Sequence, residues 1–129
     1  MITVKDTKGM YTISFDPARC VVFEKNTGFW HPEDVKRFHN DYVVKIGPHL
    51  DGKPWAKYSD LREYKTSSIN NEINEHVSWM ISKNVKSVAI LVESAIVKLQ
   101  MNRAINNKFS QKAFDDEKEA NEWLIAQGF

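Results

Sequence analysis

The chain has 129 residues, of which 42% are hydrophobic and 27% charged; this composition predicts a single globular domain, 1–129, and excludes a disordered chain. The formal net charge is +1 and basic residues alternate with acidic ones, so we expect no nucleic-acid partner. With one cysteine, no apolar signal core and no stretch able to cross a bilayer, the sequence predicts a cytoplasmic protein without a transmembrane segment.

The N-terminal third predicts two paired strands followed by a helix. Residues 11–15 alternate apolar with polar side chains, which is typical of a half-buried strand. The apolar residues 20–23 resume extended structure after a short link, and residues 26–28 mark the end of this second strand. A helix is predicted from Pro32 until Gly47-Pro48 ends it. Its apolar residues recur at helical spacing and are Val35, Phe38, Tyr42 and Ile46.

The middle of the chain predicts a strand, a helix and a second strand. Residues 55–61 alternate Trp, Lys and Ser with Ala, Tyr and Asp, which indicates a strand. A helical stripe follows, formed by Ile69, Ile73, Val77, Met80 and Ile81. Residues 85–92 are apolar on both faces, so we expect a central strand that helices cover on both sides.

The C-terminal third predicts a helix over residues 94–106, a strand over 109–114 and a closing helix. Asp116 is the predicted N-cap of that last helix, and Glu119 can complete a capping box. The element order β-β-α-β-α-β-α-β-α predicts an α/β fold with a mixed, mostly parallel sheet of four to five strands.

Three residues near strand ends have catalytic potential. Asp60, Glu93 and His31 lie near the carboxyl ends of predicted strands, where ligands of open α/β sheets bind. Two carboxylates and an imidazole could support acid–base chemistry in a small hydrolase-type enzyme. We favour the alternative that they begin helices or cap turns, so no catalytic residue is predicted.

A cleft for a small apolar ligand or lipid is an alternative prediction at the same edge. Trp30 and Trp55 lie at strand or loop ends and, with Asp60 and Glu93, are the candidates for lining it. Packing in the core is the more common fate of such aromatic side chains.

No metal or cofactor site is predicted. Glu72 and His76 are four residues apart on a helix and could share a metal, but a solvated helix face is the favoured interpretation. His39 and His49 are isolated, and no Gly-rich phosphate loop is present. Cys20 is expected to be an inert thiol within a strand.

Two further features suggest regulation through a protein partner. Ser67 and Ser68 precede a helix, where a phosphate would meet the N-terminal amides, although an N-cap is the ordinary interpretation. The helix over residues 94–106 is apolar on more than one face, so Met101 and Ile105 are candidates for contacting a partner or a second copy of the chain.

The chain resembles the SpoIIAA-like, STAS-related family of small bacterial domains over nearly its whole length. The resemblance is carried by Gly28 before Pro32-Glu33-Asp34, Asp60-Leu61, Val88-Ala89-Ile90-Leu91-Val92 and the closing Phe114, Glu119-Ala120 and Trp123-Leu124. It implies a mixed sheet with helices packed on it, and binding or regulation without catalysis.

The chain also departs from that family at two positions. Anti-sigma-factor antagonists carry an Asp-Ser phosphoacceptor after the third strand, whereas Leu61 follows Asp60 here, and Glu93 replaces the usual glycine. The leading hypothesis is therefore a non-enzymatic module that binds a protein partner or itself. A carrier of a small apolar ligand is the second hypothesis, and an enzyme the third.

Overall fold

Among the residues that the structure describes, six strands form one mixed sheet in which each strand pairs with the next strand along the chain. The computed structural model describes residues 1–66, 70–102 and 108–129. Its strands are β1 (Ile2–Lys5), β2 (Tyr11–Asp16), β3 (Val21–Trp30), β4 (Trp55–Thr66), β5 (Val85–Leu91) and β6 (Ser110–Phe114). β1 to β3 pair antiparallel and β3 to β6 pair parallel, which confirms the mixed, mostly parallel sheet with one more strand than expected.

The helices lie on both faces of the sheet. They are α1 (Pro32–Asp41), a π-helical segment (Tyr42–Ile46), α2 (Gly47–Leu50), α3 (Asn70–Ser82), α4 (Ala95–Asn102) and α5 (Glu117–Ala126). Right-handed crossovers between parallel strands in consecutive order place the crossover helices on one face. Phe38 of α1 and Met80 of α3 pack there in the main core, whereas Leu124 of α5 packs in a second core on the opposite face.

Strand β5 is an interior strand covered on both faces, as the sequence predicts, but it lies next to the edge strand β6 and not in the middle of the sheet. It lies between β4 and β6, with Val88 and Ile90 in the main core and Ala89 and Leu91 in the second core. Because both of its faces are covered, the strand is apolar on both sides.

Strand β3 begins later and ends later than predicted. Cys20 precedes it in a turn, with φ of 55°, and its Sγ lies 3.7 Å from the carbonyl oxygen of Pro17, so its placement within a strand is wrong. The strand continues through Asn26 to Trp30 because a bulge between Lys25 and Thr27 keeps it paired with β4.

The first helix does not end at Gly47-Pro48. The chain widens into the π-helical segment, where the Gly47 N–H donates to the carbonyl oxygen of Tyr42, and then continues as α2. Pro48 lies in the first turn of α2, where its missing N–H needs no helical partner. The helical path ends after Leu50, at Asp51 with φ of 52°.

The closing helix follows its predicted N-cap and buried face, but among the described hydrogen bonds no return bond from the Glu119 side chain to Asp116 completes the capping box. The Asp116 side chain accepts a hydrogen bond of 3.2 Å from the Glu119 N–H, and Ala120 and Leu124 are fully buried. Trp123 packs on Phe114 with ring centroids 5.7 Å apart. Among the helices described, none is long and apolar enough to cross a membrane.

Candidate functional site

A cavity of about 360 Å³ lies in the main core, between the sheet and helices α1 and α3. Most of its wall is aromatic or aliphatic and comes from Trp30, Phe38, Ile73, Val77, Met80, Val88, Ile90 and Phe109. Half-buried or exposed side chains line its outer part, namely Leu61, Tyr64, Thr66 and Gln111. The cavity therefore reaches the surface near the carboxyl ends of β3 and β4, the edge at which open α/β sheets bind ligands.

Four polar side chains from two neighbouring strands form the inner end of this cavity, which we call the polar base. They are Glu24, Asn26, Lys57 and Ser59, each between 4% and 6% exposed. Side chains along a strand alternate between faces, so these residues share the main-core face with Val22 and Trp55. Glu24 and Ser59 are direct partners across the parallel pair β3–β4.

Glu24 is the centre of the polar base. Its Oε1 accepts a hydrogen bond from the Tyr42 hydroxyl and pairs with Lys57 Nζ at 2.7 Å. Its Oε2 accepts from Asn26 Nδ2 at 2.9 Å and from Ser59 Oγ at 2.7 Å. Four partners compensate the desolvation of this carboxylate.

Lys57 is the cation of the polar base, and its surroundings are equally complete. Beyond Glu24, its Nζ lies 3.2 Å from His76 Nε2 and 3.5 Å from Met80 Sδ. The same nitrogen lies 4.8 Å from the ring centroid of Tyr42 and 5.4 Å from that of Phe38. Aromatic faces and three acceptors thus replace water around a buried ammonium group.

His76 links the polar base to the protein surface. Its Nδ1 lies 2.9 Å from Nδ1 of His39, which is half-buried. Since the Lys57 ammonium only donates, His76 Nε2 must accept, so neutral His76 carries its proton on Nδ1 and donates it to His39. Burial, then the charge of Lys57, holds the pKa of His76 well below its usual 6.5, which agrees with the neutral form.

Tyr42 is also held in its neutral form. Burial and the neighbouring charge of Glu24 raise the pKa of its hydroxyl well above 10. A protonated hydroxyl can donate to Glu24, which is the hydrogen bond observed.

The side-chain oxygen of Asn26, Oδ1, is buried and has no hydrogen-bond partner among the residues that the structure describes. A carboxylate only accepts hydrogen bonds, so the Asn26 amide nitrogen faces Glu24 and the oxygen is the group left over. An unpaired buried acceptor is destabilising, and such atoms call for a specific explanation.

The structure brings only one of the predicted cleft residues to the cavity. Trp30 is 1% exposed and lines it. Trp55 does not, because it begins β4 at the other end of the strand, where its Nε1 donates to the Lys83 carbonyl oxygen at 2.8 Å. A cleft that contains both tryptophans is therefore wrong.

The two predicted carboxylates also lie outside the cavity. Asp60 is next to Ser59 on β4 and so lies on the opposite face, where Arg62 binds it at 2.8 Å and also contacts Glu117 of α5. Burial alone would raise the pKa of Asp60, but hydrogen bonds from Arg62 lower it. Glu93 follows β5 and is exposed.

The structure does not bring together His31, Asp60 and Glu93, the residues of the catalytic alternative. His31 is exposed before α1, where its backbone N–H donates to Asp34 Oδ2 at 2.9 Å and its ring packs on Phe29. In the described part of the chain, no hydrogen bond or ion pair joins His31 to Asp60 or Glu93. Among those residues, no three His, Cys, Asp or Glu side chains form a group that could hold a metal ion.

The predicted regulatory and partner residues fall largely beyond what the structure describes. Ser67, Ser68 and Ile105 lie outside the described residues, and Met101 belongs to α4 without a described side chain. On the same helix, Ile96 and Leu99 are 70% and 57% exposed.

Sequence reasoning missed the polar base and misplaced two histidines. His76 is 3% exposed, so its assignment to a solvated helix face is wrong, as is the isolation of its neighbour His39. The signal for the polar base lay in the strand alternation, since Lys57 and Ser59 share a face with the apolar Trp55. Opposite charges at inward positions of neighbouring strands, here Glu24 and Lys57, are the pattern to look for.

The fold has a counterpart among solved structures. No protein-family model matches this chain, and no curated protein does. The chain is similar to an uncharacterised protein of the DUF3478 family with a SpoIIAA-like fold from Shewanella loihica PV-4. The two share 18% identity over 88% of this chain and 93% of the other, with a TM-score of 0.65. This likeness confirms a SpoIIAA-like fold.

Proposed function

We propose that this SpoIIAA-like domain is a non-enzymatic binding module that holds one small, largely apolar molecule in the cavity beneath α1 and α3. The observation that carries this proposal is the combination of an apolar wall with a buried polar base in one surface-connected cavity. Ligand sites typically pair a mostly apolar lining with a few polar groups that orient the ligand.

The size of the cavity limits the ligand. At about 30 Å³ for each non-hydrogen atom, the share of one molecule in liquid water, about a dozen such atoms fill it. A volume of about 360 Å³ is at the small end of known ligand pockets. An eight-carbon chain with one polar end group is therefore a suitable probe.

The composition of the polar base supports binding over core packing alone. Replacing a buried ion pair with apolar residues is often neutral or stabilising, so the pair of Glu24 and Lys57 adds little that an apolar core would lack. Its position at the end of an open cavity gives it a use in orienting a ligand.

The direct test is calorimetric titration with 1-octanol. We expect saturable binding of one molecule to the wild-type protein and loss of binding in Val77→Phe, which fills the cavity from α3. Val43→Phe is the matched control, because Val43 is 38% exposed and does not line the cavity. Absence of binding to the wild type, or unchanged binding to Val77→Phe, would contradict the proposal.

A second candidate function is contact with another copy of the chain through α4. Its support is the exposure of Ile96 and Leu99, which are three residues apart and so share a helix face. The formal net charge of +1 leaves little repulsion between copies.

Sedimentation velocity tests this contact. A self-associating wild type, with monomeric variants Ile96→Ser/Leu99→Ser and Met101→Ala/Ile105→Ala, would support it. Ile125→Ser is the control, because Ile125 is 57% exposed on a different helix, α5. A monomeric wild type at high concentration would reject the contact.

A further inference from the structure

We propose that the cavity selects a neutral ligand whose polar end carries a hydrogen-bond donor, such as a hydroxyl or a primary amide, and rejects the carboxylate of a fatty acid. This inference rests on the proposed function, since it specifies the ligand of the same cavity. It is carried by Asn26 Oδ1, a buried acceptor without a partner, beside an ion pair whose donors are already engaged.

Lys57 has no donor left for a ligand carboxylate. An ammonium group carries three N–H bonds, and its nitrogen already lies 2.7 Å from Glu24 Oε1, 3.2 Å from His76 Nε2 and 3.5 Å from Met80 Sδ. A ligand carboxylate would have to displace one of these acceptors and would then lie beside the carboxylate of Glu24. Both effects oppose the binding of an acid.

The polar base also has no net charge to offset a charged ligand. The charges of Glu24 and Lys57 cancel, and His76 is neutral. Burying an ion without an opposite charge costs far more than burying a hydrogen-bonded neutral group. An alkylammonium would in addition approach the ammonium of Lys57.

Asn26 supplies an unpaired acceptor for the hydrogen-bond donor of a neutral ligand. Its amide nitrogen is committed to Glu24 at 2.9 Å, so its oxygen is the acceptor left over. A ligand O–H or N–H bound next to Asn26 would satisfy this oxygen. A hydroxyl or primary amide could also accept the second N–H of the same side chain.

The test compares isomers that differ only in the donor. 1-Octanol and 1-methoxyheptane have the same atoms, but only the alcohol has an O–H. Asn26 Oδ1 is already unpaired in the free protein, so the alcohol gains a hydrogen bond that the ether cannot make. A net hydrogen bond changes affinity by a few-fold up to about tenfold, so we expect 1-octanol and octanamide to bind several-fold more tightly than the ether. Octanoate should bind more weakly than 1-octanol as well.

Two variants test whether Asn26 causes the preference for a ligand with a hydrogen-bond donor. Asn26→Leu should remove the preference for 1-octanol over 1-methoxyheptane, whereas Asn40→Leu should keep it, because Asn40 is exposed on α1. Equal affinities for the two isomers in the wild type, or tightest binding of octanoate, would overturn the inference and leave the proposed function standing. If no probe binds, the proposed function fails as well. If Asn26→Leu does not fold, the wild-type comparison decides.

Discussion

Lys57 Nζ and Glu24 Oε1 lie 2.7 Å apart in the main core, where the two side chains are 7% and 2% exposed. This pair joins β4 to β3 and forms the inner end of the cavity. The attraction and the hydrogen bonds of such a deeply buried ion pair offset its large desolvation cost only while both partners are present.

Removing one charge of this pair should therefore destabilise the protein strongly. We expect Glu24→Gln to lower the free energy of unfolding by about 3–5 kcal/mol, since it leaves the Lys57 ammonium buried without an opposite charge. Urea denaturation measures this change. The double variant Glu24→Gln/Lys57→Met should recover most of the loss, because no buried charge remains.

The neighbouring surface pair is the control for that prediction. Lys25 Nζ lies 3.2 Å from Glu63 Oε2, but these side chains are 56% and 63% exposed. Lys25→Gln should change stability by less than about 1 kcal/mol, as is typical of exposed pairs. Similar losses in Glu24→Gln and Lys25→Gln would show that the buried pair is not as isolated from water as described.

His76 should make stability depend on pH near neutrality. Its pKa lies well below 6.5 in the folded protein, because of burial and then the Lys57 charge, so only the unfolded chain takes up this proton as the pH falls through about 6.5. Stability from this residue is complete above that pH and decreases below it, by up to about 1.4 kcal/mol for each pH unit. Urea denaturation at pH 7.5, 6.5 and 5.5 measures the slope.

Two variants assign this slope to His76. His76→Leu should flatten it between pH 6.5 and 5.5, whereas His49→Asn should keep it, because His49 is exposed. The carboxylates with lowered pKa values lose their contribution only near and below pH 3.8, and these are Asp6, Asp34 and Asp60. An unchanged slope in His76→Leu would assign the pH dependence to other groups.

The cap of the closing helix should be worth a measurable part of the stability. Asp116→Ala removes the acceptor of the Glu119 N–H, and we expect a loss of about 0.5–2 kcal/mol in thermal or urea denaturation. Glu122→Ala on the same helix, whose contact with Lys118 is 4.0 Å long and exposed, should change stability by less than about 0.5 kcal/mol. Equal effects of the two substitutions would argue against the cap.

The parts of the fold that depend on local pattern could be predicted from the sequence. The double-sided apolar strand β5 and the capped helix α5 follow from periodicity and capping chemistry. The course of β3 could not be predicted, because Asn26 and Gly28 are turn formers. Asn26 stays in the strand by pairing with Tyr11 of β2, and Gly28 stays in it by pairing with Tyr64 of β4 beyond the bulge between Lys25 and Thr27. Tertiary pairing outweighed local preference there.

The candidate site was less accessible from sequence for a related reason. Glu24 and Lys57 are 33 positions apart, and each by itself is typical of a solvated strand position. They become a site only through the parallel register that aligns Glu24 with Ser59 and through α3, which brings His76 over them. Such a cluster is a property of the packed chain, so it appears only when strand register and helix placement are known.

The most direct test of ligand binding is the indole region of a ¹⁵N–¹H correlation spectrum during titration with 1-octanol. The chain has four tryptophans, of which Trp30 lines the cavity and Trp123 packs on the opposite face of the sheet. We predict that the Trp30 indole signal, assigned with Trp30→Phe, shifts and saturates at one equivalent while that of Trp123 stays in place. A Trp30 signal that does not move, or indole signals that all drift without saturation, would contradict a specific ligand site in this cavity.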